Sequence, residues 1–258
     1  MKHNPSSHLK LTVAIATAVS AAGLLGAPLR AERAEEEAAL IQRVVAQTTR
    51  AAVALRATRE LRAGTVSGKH QGWMRVETTV TPAGAFAWNV LEEGGSERTR
   101  EKVLYALLKG EEDAWRSGER DMAALTPANY EFTALPAAQS GQLQIQLKPR
   151  RSDPKLIDGI LTVTNDGHPL RLEGKLAKSP SFWVKSITVV KDYTRFGGIS
   201  LPTSIESLAD LKMFGRSTFT MRYHYSEVAG RSVSHAAASA PFVGPSAEIL
   251  ATHGSGSE

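Results

Sequence analysis

The sequence predicts an α+β protein: a strongly curved antiparallel β-sheet, open like a half-barrel, with helices covering its concave apolar face. Three features lead there. Period-two alternation is nearly unbroken in the second half of the chain. Gln142–Lys148 sets Leu143, Ile145 and Leu147 on one side and Gln142, Gln144, Gln146 and Lys148 on the other, and Thr218–Ser226 does the same with Phe219, Met221, Tyr223 and Tyr225. Such alternation marks antiparallel strands with one apolar and one wetted face. Two stretches of helical periodicity interrupt the strand series. The strands follow one another across short turns, so sequence neighbours should pair, and a twisted sheet of so many strands tends to curl.

Residues 1–31 read as a secretory signal. Lys2 and Lys10 precede the apolar run Leu11–Leu25, which is short for a membrane span, and small residues follow, with cleavage at Ala27 or Ala31. From Glu32 to about Arg56 the pattern predicts a helix with Ile41, Val45, Thr48, Ala52 and Leu55 on one face. Three strands follow: a weakly patterned one near Glu60–Gly68, then Trp73–Val80 and Phe86–Leu91, the last two separated by the Pro82-Ala-Gly84 turn. Gly94-Gly95 ends this run and offers Ser96 as the N-cap of a helix over Glu97–Arg116, with Val103, Leu104, Leu107, Leu108 and Trp115 on its apolar stripe and Gly118 as its stop.

The remaining strands are expected at Tyr130–Leu135, Gln142–Lys148, Leu156–Thr164, Pro169–Leu176, Trp183–Tyr193, Thr203–Leu208 and Thr218–Glu227. Asn165-Asp-Gly167 closes one tight hairpin. The domain is therefore expected over 32–228. Residues 229–258, rich in Ala, Ser, Gly and Pro, are expected to form a disordered tail.

Composition and motifs argue against several chemistries. The chain has no cysteine, which removes disulfides, thiolate catalysis and a lipid-modified cysteine. Cleavage after Ala31 would remove Lys2, Lys10 and Arg30 and lower the formal charge from +5 to +2. No arginine cluster with interleaved aromatics is left, so nucleic acid is not an expected partner. The seven histidines show no i, i+4 metal spacing, and no cofactor or metal is expected. No G-x-S-x-G elbow or phosphate loop occurs, and Glu111, Glu112 and Asp113 read as a solvated helix face. The chain is therefore expected not to be an enzyme. A closed outer-membrane barrel fits poorly, because two long amphipathic helices interrupt the strands.

Several local phrases resemble the outer-membrane lipoprotein-sorting superfamily of LolA/LolB-like periplasmic carriers. They are Tyr130-Glu-Phe132, Leu147-Lys-Pro-Arg-Arg151, Ile157-Asp-Gly-Ile-Leu-Thr-Val163, Gly167-His-Pro-Leu-Arg-Leu-Glu-Gly174, Trp183 to Tyr193 and Leu201-Pro202. The resemblance covers roughly residues 35–230, and the phrase Lys178–Trp183 departs from it. It implies a curved sheet whose apolar cavity shelters acyl chains crossing the periplasm. It also implies an arginine on an early strand that holds the closed state, a position for which Arg75 is the candidate. No exposed apolar loop of the kind an outer-membrane acceptor inserts is evident.

The candidate cavity-lining residues are Trp73, Val76, Phe86, Trp88, Ile145, Leu147, Phe219, Met221 and Tyr223. The expected function is a periplasmic carrier or chaperone, monomeric, whose partners are lipoprotein acyl chains or other lipid. The alternative is an envelope interaction or sensor module that uses the same fold to bind a partner protein.

Overall fold

The computed structural model describes residues 26–48, 53–136, 142–213 and 215–233. The apolar run of the expected signal and the chain beyond residue 233 lie outside them. The chain divides into two compact units, residues 1–36 and 37–258. Of the first unit, the described part is the leading portion of helix α1 (Gly26–Thr48). Among the described residues no helix is long and apolar enough to cross a membrane.

The second unit is built on an open antiparallel sheet. Its strands are β1 (Leu55–Thr65), β2 (Gly72–Val80), β3 (Phe86–Gly95), β4 (Tyr130–Ala134), β5 (Leu143–Pro149), β6 (Ile157–Val163), β7 (Pro169–Leu176), β8 (Val184–Phe196), β9 (Ile199–Leu211), β10 (Gly215–Val228) and the two-residue β11 (Arg231–Ser232). The order across the sheet is β3-β2-β1-β10-β9-β8-β7-β6-β5-β4, with β11 paired to β10. The edge strands β3 and β4 do not meet, so the sheet is a curved half-barrel and not a closed one. Every pairing in the sheet joins sequence neighbours except one, where the last long strand, β10, folds back beside the first, β1. That pairing joins two meanders, and β3 connects to β4 through helices. The last strand, β11, falls inside the segment 229–258 expected as tail.

The predicted alternation sets which face is inside. In β2, Gly72, Met74, Val76, Thr78 and Val80 are buried, and the residues between them are not. One row of register partners runs across the inner face from β2 to β4: Met74, Leu61, Met221, Ile205, Lys191, Leu172, Leu161, Ile145 and Ala134. Eight of its nine positions are apolar. The exception is Lys191.

Two helices cover this face, each over its own core. Helix α1 contributes Leu40 and Val44 to a core with Tyr130, Ile145, Leu147, Leu156, Leu161 and Leu172. The sequence stripe through Ile41 and Val45 is one position off, because a face drawn through Ala52 and Leu55 extends past the helix end: Leu55 already opens β1. Glu37 of α1 accepts a hydrogen bond from the Ala134 amide, 2.8 Å, which occupies one donor of the edge strand β4.

The second helix, α2, spans residues 97–117 as an α turn (Glu97–Thr99), a π segment (Arg100–Tyr105) and an α segment (Ala106–Ser117). Ser96 caps it as predicted, its Oγ accepting from the Thr99 amide at 3.3 Å, and Gly118 stops it in the left-handed region. Leu104 and Leu108 of α2 pack on Leu61, Met74, Val76 and Met221, while Val103, expected on the stripe, is exposed. Ile205 touches both cores.

Candidate functional site

On the inner face of β1 and β7–β10 the charged positions are Arg59 and Lys191, and both lie among apolar and aromatic neighbours. Arg59 occupies the row of Val76 and Tyr223. It is 4% exposed and forms a bidentate pair with Glu111 of α2, at 2.6 and 3.1 Å. Its guanidinium lies over the rings of Tyr223 (4.8 Å) and Phe86 (5.4 Å), and its Nε has no hydrogen-bond partner. Burial pulls the Arg59 pKa down, but the fields of Tyr223 and Glu111 outweigh this and hold it above its ordinary value.

Lys191 sits two residues from Tyr193 on the same face of β8. Its side chain is half-buried, between its register partners Leu172 and Ile205. It makes no hydrogen bond or ion pair among the described residues. Desolvation holds its pKa below the usual lysine range, and Glu111 offsets part of that. The Tyr193 and Tyr223 phenols also lack hydrogen-bond partners among the described residues. Burial pushes both well above the ordinary phenol range.

Tyr193 borders a cavity of about 310 Å³ whose other walls include Gln47, Thr48, Leu55, Trp115, Leu125, Ile199 and Leu201. Its size lies at the lower end of the ~300–1,000 Å³ of ligand sites. The cavity opens between the end of α1, the Glu119–Ala123 turn of 3₁₀ helix and the β8–β9 hairpin. A larger groove of about 990 Å³ lies on the opposite face, over β5–β8. It is lined by Gln144, Gln146 and Asp158 and by the ion-paired Arg171 and Glu173, and reads as solvated surface.

None of the nine predicted lining residues borders the 310 Å³ cavity. Val76, Ile145, Leu147 and Met221 are core, with at most 4% exposure. Phe86, Trp88, Phe219 and Tyr223 are partly buried on the inner side. Phe86 stacks on Trp115 at 6.0 Å, and the Trp88 indole donates to Glu112 at 3.3 Å.

Trp73 requires correction. It alternates with Met74 and so faces outward, 36% exposed, lying over Gly94 of β3. Arg75 requires the same correction. It is on the outer face, bound to exposed Glu92 at 2.7 Å, and the interior arginine is Arg59. The cavity residues Tyr193, Ile199 and Leu201 belong to strands that the sequence located but drew too short.

Two further groupings stand out. His168 is buried, 2.9 Å from Ser200 Oγ and 3.5 Å from Asp166. These are the residue types of a hydrolytic triad, but Asp166 is exposed and already held by Thr164 and by Arg195 at 2.9 Å. The contacts tie the β6–β7 hairpin to β9, and the arrangement is a structural clamp. At one end of the sheet, Phe182, Trp183 and Met213 are the most exposed large apolar side chains among the described residues apart from lesser ones below 45%. The Phe182 and Trp183 rings touch in a tilted arrangement with centroids 4.1 Å apart, Lys212 lies over the Phe182 ring, and the Lys212 amide donates to the Trp183 carbonyl, joining the two loops. The sequence phrase Lys178–Trp183 thus forms the exposed apolar tip that was not expected. Among the described residues no group of His, Asp and Glu is placed to hold a metal.

No protein-family model and no curated protein matches the chain. Among solved structures it is similar to a LolA superfamily protein from Nitrosomonas europaea, with a TM-score of 0.40 and 9% identity over 77% of this chain and 94% of that one. It is also similar to a DUF1329 family protein from Desulfovibrio piger, with a TM-score of 0.39 and 8% identity over 73% of this chain and 91% of that one.

Proposed function

We propose that this chain is a non-catalytic carrier of the cell envelope that shelters acyl chains of lipoproteins or other lipids against the inner face of its half-barrel, in the periplasm. The observation that carries the reading is the seam between the two cores. There Ile205 touches both cores, and beside the α1 core a cavity of about 310 Å³ stays open at Tyr193, Leu125, Ile199 and Leu201. Helix α2 is held over this face by the buried Arg59–Glu111 pair, by the contacts of Glu93 with Tyr105 and Arg100 and of Trp88 with Glu112, and by side-chain packing, and it would have to yield to admit an acyl chain. The Phe182, Trp183 and Met213 tip gives such a carrier a point of contact with a membrane or an envelope protein.

A second reading has its own support. Met74, Val76, Ile145 and Leu147 are completely buried beneath the helices, as expected of an interaction module whose helices fill its own concave face. The experiment that separates the two is native mass spectrometry of the protein purified from periplasm, with lipid extraction of the bound fraction. A carrier yields stoichiometric acyl-chain adducts that released lipid restores. A protein that is bare, and remains bare when offered lipid, is an interaction module.

A further inference from the structure

The inner face holds more polar hydrogen-bonding capacity than its own contacts use. The Lys191 ammonium and the Tyr193 and Tyr223 phenols have no hydrogen-bond partners among the described residues, and the Nε of Arg59 is buried without one. Unpaired buried donors are costly, and natural interiors avoid them. Here four unpartnered donors lie on one face of β1, β8 and β10; the Arg59 Nε is wholly shut off from solvent, and the other three belong to half-buried side chains. Tyr223 is the register partner of Arg59, and Tyr193 follows Lys191 by two residues.

The Arg59 guanidinium lies over the Tyr223 ring at 4.8 Å, and the field of Glu111 reaches both Tyr223 and Lys191. Glu111 is the acid facing these cations, and it is already engaged by Arg59. One carboxylate thus serves two cations, and the cluster carries a deficit of negative charge. Around it the face is apolar: Leu172 and Ile205 flank Lys191, and Leu61, Met221 and Phe219 continue along β1 and β10.

We infer that the interior is a receptor for an amphiphile with an anionic head, in which Lys191, with the Tyr193 and Tyr223 hydroxyls, binds the oxyanion while the chain lies on the apolar inner face. The inference rests on the carrier reading and adds its ligand class. A carboxylate or a phosphate monoester supplies the missing acceptors and the missing charge. A neutral lipid supplies no charge, and its hydroxyl or ester oxygens are weaker acceptors for these donors. The cavity beside Tyr193 is the route by which the head reaches Lys191.

The test uses the delipidated full chain and three single-chain probes: palmitate, hexadecanol and palmitoyl lysophosphatidate. Binding is measured by displacement of a fluorescent acyl probe. The anions are expected to bind about tenfold or more tightly than the alcohol, the scale of one charge-assisted hydrogen bond. The preference between palmitate and lysophosphatidate identifies the head group. Lys191→Met should abolish the preference for anions while keeping alcohol binding, and Lys191→Arg should retain it; circular dichroism verifies the fold of both. Equal binding of anion and alcohol by the wild type overturns this inference and leaves the carrier reading standing. A preference that survives in Lys191→Met removes Lys191 as the anion site and overturns the assignment. Failure of all three probes to bind overturns the carrier reading, and this inference with it.

Discussion

At the scale of single residues, alternation told which side chains share a face but not what covers that face. Ile145 and Val76 were legible as inward because the two-residue period leaves no freedom once one neighbour is fixed. The same period separates Trp73 from Val76, and the error there was to group aromatics by type before face. Arg59 was missed for a related reason. An arginine at an inner position reads as a break in the pattern until its acid, Glu111, arrives from a helix 52 residues away in sequence. Replacing Ile145 by Ala should cost about 2–5 kcal/mol in equilibrium denaturation, since the side chain is completely buried. Replacing Glu111 by Gln should cost about 1–3 kcal/mol, because it leaves the Arg59 charge buried and half-partnered while Glu111 itself is partly exposed. A chemical denaturation curve unchanged in Glu111→Gln would show that the pair holds nothing.

Lys191 gives a pH prediction. Its folded pKa is depressed below the unfolded value of about 10.4. Between the two pKa values the unfolded chain binds more protons, so stability rises with pH through that window and falls as pH drops through it. The groups around it, Glu111, Arg59, Tyr193 and Tyr223, leave that sign unchanged, because desolvation is the largest influence. Lys191→Met should therefore melt higher than the wild type at pH 7, with the gap closing as pH approaches about 10. Thermal unfolding of both proteins from pH 6 to 10 measures it.

At the scale of elements, caps and turns were the most legible features. Ser96 and Gly118 delimit α2 because a hydroxyl acceptor and a residue tolerant of positive φ are local requirements. Strand ends were less legible. β8 and β9 run to Phe196 and Leu211, past the last clear alternation, because the β8–β9 hairpin pairs Phe196 with Ile199, and the Leu211 end of β9 is paired with both β8 and β10. The placement of α1 depends on one close approach. Gly167, in the β6–β7 turn at positive φ, has no room for a Cβ, which would come within 2.8 Å of Arg43 of α1. Gly167→Ala should therefore destabilise by about 1–3 kcal/mol, through both the contact and the backbone. It should also speed hydrogen exchange in α1 more than in α2. Equal acceleration in both helices would show that the turn does not seat α1.

At the scale of the whole molecule, the open sheet and its helical cover followed from strand count, turn lengths and two amphipathic segments. The junction of β1 with β10 did not, because pairing across 150 and more residues leaves no local mark. Nor did the seam between the two cores, where Ile205 touches both and Lys191 interrupts the apolar row. That seam is what the carrier reading depends on, since a face that closed completely would hold only its own helices. The most direct measurement is the thermal stability of the delipidated protein as palmitate or a lysophospholipid is added. The account predicts saturable one-to-one binding and a stabilisation of about 2.7 kcal/mol when free ligand reaches a hundredfold excess over Kd. A melting temperature that does not move at any ligand concentration, with no adduct in native mass spectra, would contradict it.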